Sequence, residues 1–95
     1  MSPESLPLAK FRLGRIATTS NAQLHLSDED IVQAIRQHQA GNWGEVPPAN
    51  WPANEHALKT GGRLFSAYRS AGGKLFYVIT EGDRSSTSVL LPDEY

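Results

Sequence analysis

Five residues in the second half of the chain, His56, Arg63, Tyr68, Glu81 and Arg84, are of the types that metal-free RNA cleavage uses. That reaction needs a base for the 2′-hydroxyl, an acid for the leaving oxygen and a cation for the phosphate. Glu81 and Arg84 fall within "TEGDRSSTS", residues 80–88, where two acids, an arginine and a run of hydroxyls separate two apolar runs. The same composition has a backbone explanation. A Glu-Gly-Asp-Arg tetrapeptide between two strands suits a tight hairpin, with Gly82 expected at positive φ and Asp83 bonding its own neighbouring backbone. The five residues can equally make a salt-bridged lock between a helix and a sheet, and that is the reading preferred here.

Other chemistries find less in the sequence. His25, His38 and His56 match no compact ligand pattern such as His-Glu-x-x-His, and the chain has no cysteine, so neither a metal nor a cofactor is expected. Ser85, Ser86 and Thr87 lack a Gly-x-Ser-x-Gly elbow, and Gly61-Gly62 and Gly72-Gly73 lack the spacing of a phosphate loop. His38 falls on an apolar helix face and is expected to be a buried, hydrogen-bonded structural residue.

The elements that must position these side chains follow from local pattern. Ser27 precedes Asp28, Glu29 and Asp30, acids that suit the positive end of a helix; Ile31, Ala34, Ile35 and His38 then recur on one helical face up to Gly41. A second helix starts at Asn50 with Pro52 in its first turn and ends at Gly61, with Trp51, Asn54 or Glu55, and Leu58 facing inward. "RLFSAY", "KLFYVIT" and "STSVLLP" read as three consecutive antiparallel strands, the middle one central because both of its faces are apolar. Residues 11–19, "FRLGRIATT", can extend as a fourth strand or enter a short helix capped by Thr19 or Ser20. The expected fold is α+β: two or three short helices on a three-stranded antiparallel sheet, with a flexible arm over residues 1–10 and one domain over 11–95.

Size and charge bound the function. Ninety-five residues, 39% hydrophobic and 20% charged, suit one soluble domain with a modest core. No apolar run can cross a bilayer and the start lacks the order of a secretory signal, so the expected location is the cytoplasm, away from the membrane. A formal charge of −1 supplies no general pull toward a polyanion, although Lys10, Arg12 and Arg15 cluster early and Asp28, Glu29 and Asp30 follow together. Trp43 and Trp51 are read first as anchors of the loop to the core, and otherwise as a platform for a partner.

At "HQAGNWGEVP", "ALKTGGRLFSAYRS" and "KLFYVITEGDRSSTSVLLPDEY" the chain resembles a family of small uncharacterised bacterial proteins found on plasmids and integrated elements, over Leu13 to Tyr95. The resemblance implies a bacterial cytoplasmic setting linked to mobile DNA and implies no mechanism. Should residues 11–19 form a strand, the element order is also similar to that of bacterial toxins that cleave messenger RNA at the ribosome, a likeness of topology alone. The expected function is a non-enzymatic module that binds a protein or nucleic acid through the sheet face or the tryptophan loop. Trp43, Trp51, Tyr68, Tyr77 and Arg84 are its candidate binding residues, with Tyr68, Phe76 and Tyr77 as exposed anchors. Pairing through a sheet edge into a homodimer is a further expectation, and a metal-free RNA-cleaving enzyme is the alternative.

Overall fold

The computed structural model describes residues 9–95. Most of the expected N-terminal arm, residues 1–8, lies outside the described residues; Lys10 is already tied down, its N–H bonding the carbonyl of Gln39 at 2.8 Å.

Seven elements and a terminal turn follow in the order β1 (Arg15–Thr18), α1 (Ser20–His25), α2 (Asp28–Gln39), α3 (Asn50–Thr60), β2 (Leu64–Arg69), β3 (Leu75–Thr80), β4 (Ser86–Leu90) and a 3₁₀ turn (Pro92–Glu94). The fold is α+β, with three helices and one four-stranded mixed sheet ordered β1-β4-β3-β2. The expectation of a purely antiparallel three-stranded sheet is corrected here. β2, β3 and β4 are antiparallel in chain order, but β1 joins parallel to β4, with Ile16 opposite Thr87 and Thr18 opposite Val89. Segment 11–19 does both things open to it: it extends through Thr18 and then starts α1, whose N-cap Thr19 accepts from the Ala22 N–H at 3.1 Å. Thr19 also donates to Glu94 at 2.7 Å, so the terminal turn is fastened to the start of α1.

α2 forms where its cap and periodicity place it. Ser27 and Asp30 make a reciprocal capping box, and Asp30 also accepts from the Ala71 N–H at 3.0 Å, pinning the start of α2 to the β2–β3 turn. These N–H bonds, that of Ala71 first, hold the Asp30 carboxyl below its usual range. Ala34 and His38 are buried while Ile31 and Ile35 pack partly against the same cluster. α3 has a thinner buried stripe of Asn54 and Ala57. Trp51, expected to face inward, is instead 41% exposed, because the inward face of this helix meets the edge of β2, which a small residue and an amide fit better than an indole.

That edge is closed by polar pairing. Asn54 donates its amide to the Phe65 carbonyl at 2.7 Å and accepts from the Phe65 N–H at 3.1 Å, so a side chain stands in for a neighbouring strand. Two residues on, Ala67 donates to the Trp43 carbonyl at 3.1 Å and accepts from the Glu45 N–H at 2.7 Å. β2 therefore presents few free backbone groups for edge pairing.

Register sorts the side chains. Leu64, Ser66, Tyr68, Phe76, Val78, Thr80, Thr87 and Val89 share the face that α1, α2 and Trp43 cover, and all are buried. Phe65, Leu75, Tyr77 and Leu90 share the opposite face and are only partly buried, while Ala67 and Ile79 on that face are buried.

Candidate functional site

Three of the five residues considered for RNA cleavage, Arg63, Glu81 and Arg84, meet around the end of α3, and their polar atoms are already engaged. Arg63 and Glu81 pair at 3.4 Å on the surface. The guanidinium of Arg84 donates through Nη1 to the carbonyls of Gly62 (2.7 Å), Glu81 (3.1 Å) and Gly82 (3.1 Å), and through Nη2 to that of Ala57 (2.9 Å). A cation facing the last carbonyls of a helix is favourable for both hydrogen bonding and the helix dipole. Its other side lies over the Phe11 ring, 5.7 Å from the centroid. His56 is exposed on α3, one residue before Ala57. Tyr68 is elsewhere: it is buried under α2 and donates to the Asn42 carbonyl, and burial pushes its phenol well above the usual range. The cleft lined by Asp30, Asn42 and Tyr68 and the groove lined by Phe65 and Tyr77 both run along β2, and neither includes His56, Arg63, Glu81 or Arg84.

The turn itself differs from expectation at one residue. Gly82 does not take positive φ; Arg84 does, at 62°. Gly82 is instead required by close approach, since a β-carbon there would stand 2.6 Å from the Gly61 carbonyl oxygen. Arg84 adopts a conformation unusual for its type, and its four carbonyl contacts hold it there. Asp83 accepts from the Ser85 N–H at 2.9 Å, as in an Asx turn, and the Ser85 hydroxyl first and this N–H second hold its carboxyl below the usual range.

Beneath the hairpin runs a directed chain of buried hydrogen bonds. Thr87 donates its hydroxyl to the Leu13 carbonyl at 2.7 Å, so in its 2.7 Å contact with Thr80 it must accept. Thr80 has then spent its proton and must accept from Nε2 of His38, at 2.8 Å. His38 is accordingly the Nε2–H tautomer, and its Nδ1 accepts from Ser66 at 2.6 Å. The chain joins α2 to β2, β3, β4 and the segment before β1, and every member finds a partner. Burial, with a smaller contribution from the Arg84 charge, pushes the imidazole down to about 3. A neutral histidine with both nitrogens bonded in a dry core is a structural residue, and the Ser66–His38 contact has neither a carboxylate behind it nor access for a substrate.

The two tryptophans part company. Trp43 is fully buried, stacks on Phe11, meets His38 edge-on, and donates to Glu55 at 2.8 Å. Trp51 anchors nothing comparable, which corrects the joint anchoring expectation. Tyr68 and Phe76, expected as exposed anchors, are 7% and 1% exposed, because the register turns both toward the helices.

The open face of the sheet carries the remaining aromatic group. Phe65, Tyr77 and Tyr95 stand with ring centroids 4.7, 5.4 and 5.8 Å apart in their three pairings. They line a groove of about 480 Å³ whose other walls include Pro47, Asn50 and Leu75. Its rim holds the Arg69–Glu45 pair, at 3.0 Å. Tyr77 was legible as a binding candidate; Phe65 and Tyr95 were missed. Phe65 joins Tyr77 only through the β2–β3 register, and Tyr95 only because the Pro92 turn folds the terminus back over the sheet, so no local signal would have found them. In comparison with family models, curated proteins and solved structures, nothing matches.

Among the described residues no group of three His, Asp or Glu side chains could hold a metal ion, and no helix is long and apolar enough to cross a membrane.

Proposed function

We propose that this is a non-catalytic binding module that holds a macromolecular partner in the aromatic groove on the open face of its sheet. What carries the reading is the Phe65–Tyr77–Tyr95 cluster: three rings partly or mostly accessible on the one sheet face that the helices leave open, rimmed by a charged pair. An apolar aromatic centre with a polar rim is the anatomy of a protein-binding patch. Four of the five candidate catalytic groups support the same reading by being engaged elsewhere, Arg84 on backbone carbonyls, Glu81 on Arg63 and Tyr68 on Asn42, which leaves His56 without the acid and cation that cleavage needs beside it. The cytoplasmic setting and the link to bacterial mobile elements belong to this proposal.

The test is site-specific photo-crosslinking in bacterial cells, with a benzophenone amino acid at Asn50 in the groove wall and, as control, at Val32 on α2. A discrete adduct at position 50 that disappears in a Tyr77→Ser/Tyr95→Ser background, with the fold retained by circular dichroism, is the expected result. No adduct, or one indifferent to the two tyrosines, would remove the groove from consideration.

A sheet-edge homodimer is the second reading. Of the two edge strands, β2 is covered by Asn54 and the Trp43–Glu45 segment, which leaves β1, whose Ile16 is 47% exposed. Sedimentation of the wild type against Ile16→Lys decides it: a dimer abolished by the lysine is required.

A further inference from the structure

The near-neutral total charge conceals a strong separation between the two ends of the molecule. α2 runs from the β2–β3 turn, where Asp30 holds the Ala71 N–H, to the β3–β4 hairpin end, where His38 meets Thr80. At its finish Gln39 binds Lys10 and Phe11, so the segment carrying Lys10, Arg12 and Arg15 is laid across this end. Arg15 continues it, with its N–H on the Ser85 carbonyl at 3.0 Å. Arg36 comes from the last turn of α2, Lys59 from the last turn of α3 and Arg63 from the connection just after it, and Arg84 clamps the end of α3 to the same hairpin. All six of these side chains are exposed.

The carboxylates at this end are few and occupied. Glu81 is paired with Arg63, Asp83 accepts from Ser85, and Glu55, further along α3, accepts from Trp43. Among the described residues, Lys10, Arg12, Arg15, Arg36 and Lys59 have no carboxylate within ion-pair distance. The opposite end reverses the sign: Asp28, Glu29 and Asp30 start α2 and Asp93 and Glu94 follow β4, against Lys74 and an Arg69 that is paired with Glu45.

We propose that the basic end is a binding surface for the phosphate backbone of duplex nucleic acid. Phosphate is the partner that several unpaired, exposed arginines and lysines from separate elements suit, because each contact releases a counterion and guanidinium matches phosphate geometry. The duplex is favoured over a single strand because single-strand sites add aromatic stacking platforms, and the exposed tryptophan and tyrosine, Trp51 and Tyr95, belong to the start of α3 and to the groove. The acidic opposite end sets the orientation by repelling the polyanion. This surface is distinct from the aromatic groove, and the proposal stands whether or not the groove has a partner.

The test is fluorescence anisotropy of the full chain with a labelled 16-base-pair DNA duplex, a double-stranded RNA of equal length, and single-stranded DNA and RNA. Binding to a duplex is expected at low salt and with little dependence on sequence. Raising salt from 50 to 200 mM should weaken it by roughly 40- to 150-fold if three or four phosphates are engaged. Arg12→Glu/Arg15→Glu should weaken binding by at least about tenfold, as should Arg36→Gln/Lys59→Gln on the helices, whereas Lys74→Glu at the acidic end should change it by less than about twofold. Unchanged circular dichroism and unfolding temperature in each variant separate lost contacts from lost fold. Absence of duplex binding at 20 mM salt, tighter binding to single strands, or binding indifferent to both double variants would each overturn the proposal. So would low-salt self-association of the protein that Arg12→Glu/Arg15→Glu abolishes while no duplex is bound, since the occupant of the basic end would then be the acidic end of a second copy.

Discussion

Arg84 and Ala57 are 27 residues apart in sequence, and the guanidinium of the first caps the carbonyl of the second at 2.9 Å, joining the β3–β4 hairpin to the end of α3. The same arginine sits at φ 62°. Its side chain stabilises what its backbone strains, and the two contributions can be separated by substitution. Arg84→Ala keeps the strain and loses the bonds, and should destabilise by about 2–4 kcal/mol. Arg84→Gly loses the same bonds but relaxes φ, and should recover about 1 kcal/mol of that loss. Urea unfolding of the three proteins measures both; equal losses for Ala and Gly would show that the backbone stores no strain.

Two glycines are required for different reasons. Gly14 has φ 64°, and a β-carbon there would stand 2.3 Å from the Ser85 carbonyl oxygen; Gly82 lacks positive φ but would meet the Gly61 carbonyl at 2.6 Å. Gly14→Ala should cost more than about 2 kcal/mol, combining a conformational penalty with a backbone clash. Gly82→Ala should cost about 1–3 kcal/mol from the clash alone. Thermal unfolding should rank Gly14→Ala as the less stable variant, and the reverse order would contradict the packing of β1's entry against the hairpin.

The buried imidazole sets an acid limit. His38 is neutral in the fold down to about 3, whereas in the unfolded chain it takes up a proton near its ordinary value of 6.5. A group whose pKa is lowered by folding contributes its full stability above the unfolded value and loses it as pH falls toward the folded one. Between about pH 6.5 and 3 the protein should lose up to about 1.4 kcal/mol per pH unit from this residue. The lowered carboxyls of Asp30, Asp83 and Glu94 add their own loss only at the acid end of that window. Denaturant unfolding at a series of pH values should show this slope in the wild type. His38→Gln, less stable at pH 7, should show a flatter profile between 6.5 and 4.5. Parallel profiles would mean that the histidine is not held neutral.

Strong expression of soluble protein in a bacterium should leave growth normal, as expected of a module whose Arg84 and Glu81 are committed to the lock. Growth arrest relieved by His56→Ala, an exposed position that the fold does not need, would instead establish the RNA-cleaving alternative.

What was legible in the sequence was local. The cap at Ser27, the three acids after it and the spacing from Ile31 to His38 defined α2; the glycines at 61 and 62 ended α3; and an aromatic and β-branched run apolar on both faces, "KLFYVIT", marked a strand with neighbours on both sides, which it has. These signals depend on contacts within a turn or two of chain, so residue order alone carries them. Tertiary structure decided the rest. Parallel pairing of β1 with β4 joins residues about 70 apart, and the β2–β3 register buried Tyr68 and Phe76 while bringing Phe65 beside Tyr77. The basic end likewise exists only in three dimensions, because cations spread from Lys10 to Arg63 meet where α2, α3 and the β3–β4 hairpin finish together. Register and helix docking are set by which apolar surfaces fit one another across the whole core, and that fit is a property of the folded chain that no local pattern encodes.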